Sequence, residues 1–133
     1  MRHWFTTLSL MALATIVTGC ASEVVPSSGP RPPTDPSSVT IYQKEPQRYE
    51  ILGPVAVPVG GDVRWDNRGD AAAGFERLKS QAAAIGANGI LLMGDDPQMT
   101  RVLAGYKGTY YQVPVRPGKP DAAVARAIYV LKE

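Results

Sequence analysis

The clearest periodic signal in the chain runs through residues 71–85. Ala71, Phe75, Leu78, Ala82 and Ile85 recur at helical spacing and form one apolar stripe, while Glu76, Arg77, Ser80 and Gln81 fall off it. Asp70 suits an N-cap and Gly86 a C′ position, so the spacing predicts a helix over Ala71–Ile85. Strand patterns surround it. Val39–Tyr42 alternates apolar and polar positions. Tyr49–Val59 is a longer apolar run, but Pro54 and Pro58 cannot donate to a ladder, which predicts an edge position or a bulge after Gly53. Ile90-Leu91-Leu92-Met93 is continuously apolar and predicts a central strand buried on both faces. Gly94–Lys107 reads as irregular chain with a short turn near Met99–Leu103, and Gly108–Val115 and Val124–Leu131 read as two further strands. The predicted fold is α+β: a single small domain, a mixed sheet of four to five strands with one main amphipathic helix, in the order β-β-α-β-β-β. The connection through the helix sets Tyr49–Val59 parallel to Ile90–Met93, and the last strands form an antiparallel meander.

The N-terminus has a different pattern. Arg2 precedes an apolar run, Trp4–Val17, which is shorter than the roughly 20 residues a spanning helix needs. The run ends in Val17-Thr18-Gly19-Cys20: one aliphatic residue, two small ones, then the only cysteine of the chain. This resembles the lipobox of bacterial lipoproteins. The resemblance implies a signal peptide over residues 1–19, acylation of the Cys20 thiol and anchorage in a membrane by more than one acyl chain, which holds stably where a single chain does not. Ala21, with no Asp in that position, implies the outer membrane, facing the periplasm. An ordinary secretory signal cut nearby, for instance after Ala21, is the alternative. Residues 20–38 then read as the lipidated Cys and a Pro/Ser-rich tether. Five prolines and five serines between Ala21 and Ser38 predict no regular element and a spacer reaching roughly 55 Å at about 3.1 Å per residue. The α+β domain occupies residues 39–133.

Tyr49-Glu50-Ile51-Leu52-Gly53, followed by Leu78, Ala82-Ala83-Ala84-Ile85-Gly86-Ala87-Asn88-Gly89-Ile90, resembles the strand–helix–strand scheme of small bacterial envelope proteins, the YbjQ-like and RcsF-type families among them. Ala127-Ile128-Tyr129-Val130 is similar to their closing strand. The resemblance implies the fold and an envelope setting. RcsF-type proteins rely on disulfides and YbjQ-like proteins are labelled metal-binding by similarity, but residues 39–133 contain neither cysteine nor histidine.

Chemistry is constrained by what the domain lacks. His3 and Cys20 are the only histidine and cysteine, so residues 39–133 offer no Cys/His zinc site, thiol nucleophile or histidine base. A net charge of +2, with its basic residues scattered singly, gives no dense stripe for nucleic acid. Ser80 is the only serine after Ser38 and lies on the polar side of the predicted helix, outside any GxSxG. Glu45, Glu50, Asp62, Asp66, Asp70, Asp95 and Asp96 form no evident acid pair, and Asp66–Asp70 lacks the calcium-loop order. Arg68-Gly69-Asp70 spells an adhesion tripeptide but also suits a helix start, and Gly60-Gly61 lacks nucleotide-loop spacing. No metal site or cofactor is expected.

Aromatic residues remain. Trp65 either lids the core or is an exposed anchor for a partner. One helix covers one face of a sheet, and neither Gly108–Val115 nor Val124–Leu131 has a cleanly polar face. The second face is therefore either sealed by Trp65 and the Gly94–Lys107 segment or used for contact. Trp65, Tyr110 and Ile128 are the candidate partner-binding residues. The expectation is a membrane-anchored, non-enzymatic lipoprotein with an envelope binding, assembly or signalling accessory role, its partner another envelope protein or a second copy. A peptidoglycan or small-ligand binder and a periplasmic hydrolase are the alternatives.

Overall fold

Helix α1 (Arg68–Ala84) forms where the apolar stripe predicts it, and Ala71, Phe75, Leu78 and Ala82 are buried along that stripe. It begins three residues earlier than expected, which places Asp70 in the first turn rather than at the N-cap, where its charge favours the helix dipole. It ends at Gly86, whose φ of 86° is the left-handed conformation a C′ residue needs; the Gly86 and Ala87 amides donate to the Ala83 and Ala82 carbonyls. In the computed structural model the described residues are 21–60, 65, 68–92 and 97–133. Residues 1–19, where a signal peptide is expected, and Cys20 lie outside them, as do Gly61, Asp62, Asp66, Asn67, Met93, Asp95 and Asp96.

The sheet is built around β7 (Ala122–Lys132). Along one edge β7 pairs antiparallel with β3 (Arg48–Pro58) over nearly its whole length. Its other edge is shared: β6 (Thr109–Arg116) pairs at Ala122–Ala123, and β4 (Gly89–Leu91) at Arg126–Ile128. Beside β4 lies β2 (Thr40–Tyr42), in parallel, and beside the start of β3 lies β1 (Glu23–Val25), also in parallel. Finally β5 (Thr100–Tyr106) pairs antiparallel with β6. The fold is thus a single α+β domain with one main helix on a mixed sheet, but the sheet has seven strands where the sequence pattern predicts four to five, and the order differs accordingly.

Two elements account for the difference. The first is β5, where irregular chain was expected. Val102, Ala104 and Tyr106 alternate inward against α1, but the exposed positions between them include Leu103 and the half-buried Gly105, so the alternation is not one of polarity. The second is β1, in the segment where no element was expected. Its backbone finds partners on Arg48–Glu50, and a 3-10 turn at Pro36–Ser38 is capped by Asp35. The β5–β6–β7 meander does form, and β3 and β4 run parallel to each other, separated by β7. Leu52 is the extra residue of a bulge between Ile51 and Gly53. That bulge switches the strand's parity: Tyr49 and Ile51 point to one face, while Val55 and Val57 join the helix-side core on the other.

Two apolar clusters result. The larger lies under α1 and includes Phe75, Leu78, Val57, Ile90 and Val113. The smaller, on the opposite face, joins Tyr49, Leu91 and Ile128, with Tyr42, Ile51 and Val130 packed against them. Carboxamide side chains satisfy backbone groups where strands run out of partners. Gln81 bonds both the N–H and C=O of Ala56, Asn88 does the same at Val130, and Gln43 accepts from Gln112 N–H and donates to the Tyr110 carbonyl.

Candidate functional site

The β5–β6 hairpin curls over the N-terminal half of α1, and between them is a cleft of about 590 Å3. Behind its lining lies Phe75, fully buried, around which three aromatic rings gather. Trp65 meets it edge-on at 5.0 Å between centroids and 84° between planes, Tyr106 at 5.1 Å and Tyr111 at 5.4 Å. Gly74 permits this arrangement: a Cβ there would lie 2.5 Å from Trp65 Cζ2, so no larger residue fits without moving the indole. Ala71, Ala72, Trp65 and Tyr106 line the cleft, and Leu103, Lys107 and Tyr110 form its hairpin side. Trp65 is 2% exposed, and its Nε1–H has no hydrogen-bond partner, an uncompensated cost of about 1–3 kcal/mol for a buried donor.

Behind the Tyr106 ring is a short polar chain. The buried Lys79 ammonium donates to Tyr106 Oη at 3.2 Å, and Tyr106 Oη donates to Glu76 Oε1. Lys79 Nζ lies 3.9 Å from the same carboxylate. Burial first, then the Glu76 hydrogen bond and charge, push the Tyr106 hydroxyl up to about 12. It therefore stays protonated at neutral pH and acts as a fixed donor rather than a base. Lys107 Nζ sits 5.2 Å from the same ring's centroid, at cation–π distance.

The three candidate partner-binding residues are not brought together. Tyr110 is 65% exposed at the cleft mouth, beside Leu103 at 63%. Trp65 is the lid of the core rather than an exposed anchor, because its ring is held between Phe75 and the gap left by Gly74. Ile128 is fully buried, because it lies on the opposite face of β7 against Tyr49 and Leu91; that face is closed by its own tyrosines rather than left open. Ser80 is exposed on α1, and Arg68-Gly69-Asp70 forms the helix's first turn. Among the described residues, no three His, Cys, Asp or Glu side chains gather into a metal-binding group. Sequence reasoning missed Leu103, Tyr106, Lys107 and the buried Lys79. The two-residue alternation of Val102, Ala104 and Tyr106 was the available signal for the strand that carries the first two and ends just before Lys107.

No family model matches this chain, and no curated protein matches it. Among solved structures it is similar to the crystal structure of a Francisella virulence factor, FvfA, in the orthorhombic form. The identity is 15%, over 77% of this chain and 89% of that one, with a TM-score of 0.39. Likeness at that distance carries no argument about the cleft.

Proposed function

We propose that this chain is a lipid-anchored bacterial envelope protein, held at the outer membrane through Cys20, that acts by binding rather than catalysis. The anchor rests on the lipobox resemblance of Val17-Thr18-Gly19-Cys20. The binding role rests on one observation: two large exposed apolar residues, Tyr110 and Leu103, flank a cleft whose lining, among the described residues, holds aromatic, apolar and hydroxyl groups and one ammonium, with no carboxylate, histidine or cysteine. A glycoside hydrolase needs a pair of carboxylates across its cleft, and a wall-binding groove built on Asp and Arg would have a different lining. An apolar mouth of this kind suits a protein partner in the envelope. A cleft of about 590 Å3 is also in the range of small-ligand sites, which supports a small-ligand binder as the second reading.

The test has two parts. Metabolic labelling with a fatty-acid probe should mark the wild-type chain and not Cys20→Ser; equal labelling of both overturns the anchor. A photoreactive side chain at Tyr110 in intact cells should give a discrete adduct that is lost when Leu103→Glu is added to a chain still folded by circular dichroism. An adduct pattern unchanged by Leu103→Glu overturns binding at the cleft mouth.

A further inference from the structure

The segment after Cys20 does not hang free. Glu23 N–H donates to the Gln47 carbonyl at 2.7 Å, and Glu23–Val25 pair with Arg48–Glu50. The chain then crosses the helix face of the sheet just beyond the end of α1. There Glu50 is 1% exposed, and a carboxylate so buried needs partners. The strap supplies its partners: Arg31 Nη2 at 2.7 Å, Ser28 N–H at 2.8 Å and Ser28 Oγ at 3.4 Å. The Arg31 guanidinium also lies 3.7 Å from the centre of the Tyr129 ring, the cross-strand neighbour of Glu50. Arg31 Cβ and the Pro32 carbonyl sit where a Cβ on residue 86 would be, at 2.4 and 2.9 Å, so the strap also needs Gly86. Thr34 N–H then donates to the Ala83 carbonyl at 2.9 Å, and Thr34 Oγ1 to the Ala87 carbonyl.

This arrangement uses up the slack. A free Pro/Ser-rich spacer of this length would reach roughly 55 Å. With β1 laid into the sheet, only three covalent steps separate Cys20 from Glu23, a span of at most about 11 Å. Glu23, Arg48 and Lys132 form one row across the adjoining ends of β1, β3 and β7. Val24 and Leu131, both large, apolar and exposed, belong to that same end. Its charged residues, Glu23, Arg48, Lys132 and Glu133, balance in sign, so nothing there selects an anionic or a cationic headgroup. The loop before Ala122 lies at the other end of β7, ten residues or about 33 Å away.

We infer that the Glu23–Arg48–Lys132 end of the sheet is a membrane-facing surface, held against the lipid by the latched strap instead of standing off on a spacer. The inference rests on acylation of Cys20. Its consequence is orientational: the docked strap fixes which end of the domain meets the bilayer.

The test uses the full chain expressed in bacteria, with a photoreactive phenylalanine analogue at Lys132 or, for comparison, at Lys119 in the loop before β7. After illumination of isolated membranes, lipid adducts are read by mass spectrometry. Lys132 should give several-fold more lipid adduct than Lys119. Arg31→Ala and Glu50→Gln, each checked for fold by circular dichroism, should lower the Lys132 yield several-fold and open residues 21–38 to proteolysis. Equal yields at the two positions, in a chain that carries the fatty-acid label, overturn the inference while leaving the anchor intact. An unlabelled chain overturns the anchor and the membrane-facing surface with it.

Discussion

The two ends of helix α1 are covered in opposite ways. At its C-terminal end the strap supplies charge and hydrogen bonds: Arg31 and Ser28 meet the buried Glu50 carboxylate, and Thr34 meets the last helical carbonyls. At its N-terminal end the cover is aromatic, with Trp65, Tyr106 and Tyr111 around Phe75 and an indole N–H left unpaired. Seventeen residues give a helix about 25 Å long, too short to cover a sheet that also carries the β5–β6 branch, so both flanks need other chain segments. The polar end is nearly satisfied and has one dominant geometry. The aromatic end keeps a cleft open beside exposed Leu103 and Tyr110. The helix therefore separates a side latched by polar contacts from a side that keeps an open cleft.

The largest expected effect lies at the aromatic end. Phe75→Ala removes the ring on which three others pack and should cost about 3–5 kcal/mol in denaturant melts. A loss below 1 kcal/mol would mean that the hairpin does not depend on this cluster. Next comes the polar end, where Glu50→Gln should cost about 1.5–3 kcal/mol, the range for hydrogen bonds to a charged group. This variant should leave Trp65 fluorescence unchanged in a chain that lacks residues 1–19, where Trp65 is the sole tryptophan. A shifted emission maximum would show that the two ends are coupled.

pH separates the tyrosines, Tyr106 of the aromatic end among them, from Glu50. Tyr42, Tyr49 and Tyr106 are each raised to about 12, by burial first and then by a carboxylate partner. Above the ordinary value of 10 the unfolded chain releases protons that the folded chain retains, so stability should fall as pH rises from 10 towards 12. Tyr106→Phe should flatten that alkaline limb in thermal melts. Glu50 behaves in the opposite sense: chiefly through its hydrogen bond from Arg31, its carboxyl is held below the usual 4.5. Its contribution is present above pH 4.5 and is lost as pH falls through the lowered value, so Glu50→Gln should flatten the acid limb. If either variant left its own limb unchanged, the contribution assigned to that side chain in the folded protein would fail. The smallest effect belongs to the exposed Ser80, where Ser80→Ala should change stability by less than about 0.5 kcal/mol.

Local pattern alone determined a large part of this molecule. The phase of α1, its stop at Gly86, a bulge in β3 (at Leu52, just before Gly53 rather than after it) and the order of the last two strands all follow from residues within a turn or a strand of one another. The same local logic misplaced Ile85: it continues the helical stripe, yet it lies past the last helical residue and is 41% exposed. The partners of the strap, the branch at β7 and the closure of the second face were decided only in three dimensions. Arg31 meets Glu50 from 19 positions away and Thr34 meets Ala87 from 53. A proline-rich segment has no periodicity from which such a partner could be read, because its order comes from a buried carboxylate and an uncovered tyrosine elsewhere. Tyr110 was legible as an aromatic on a strand without a polar face. Its position at a cleft mouth depends on how β5 and β6 curl over α1, which no spacing within Thr109–Arg116 encodes.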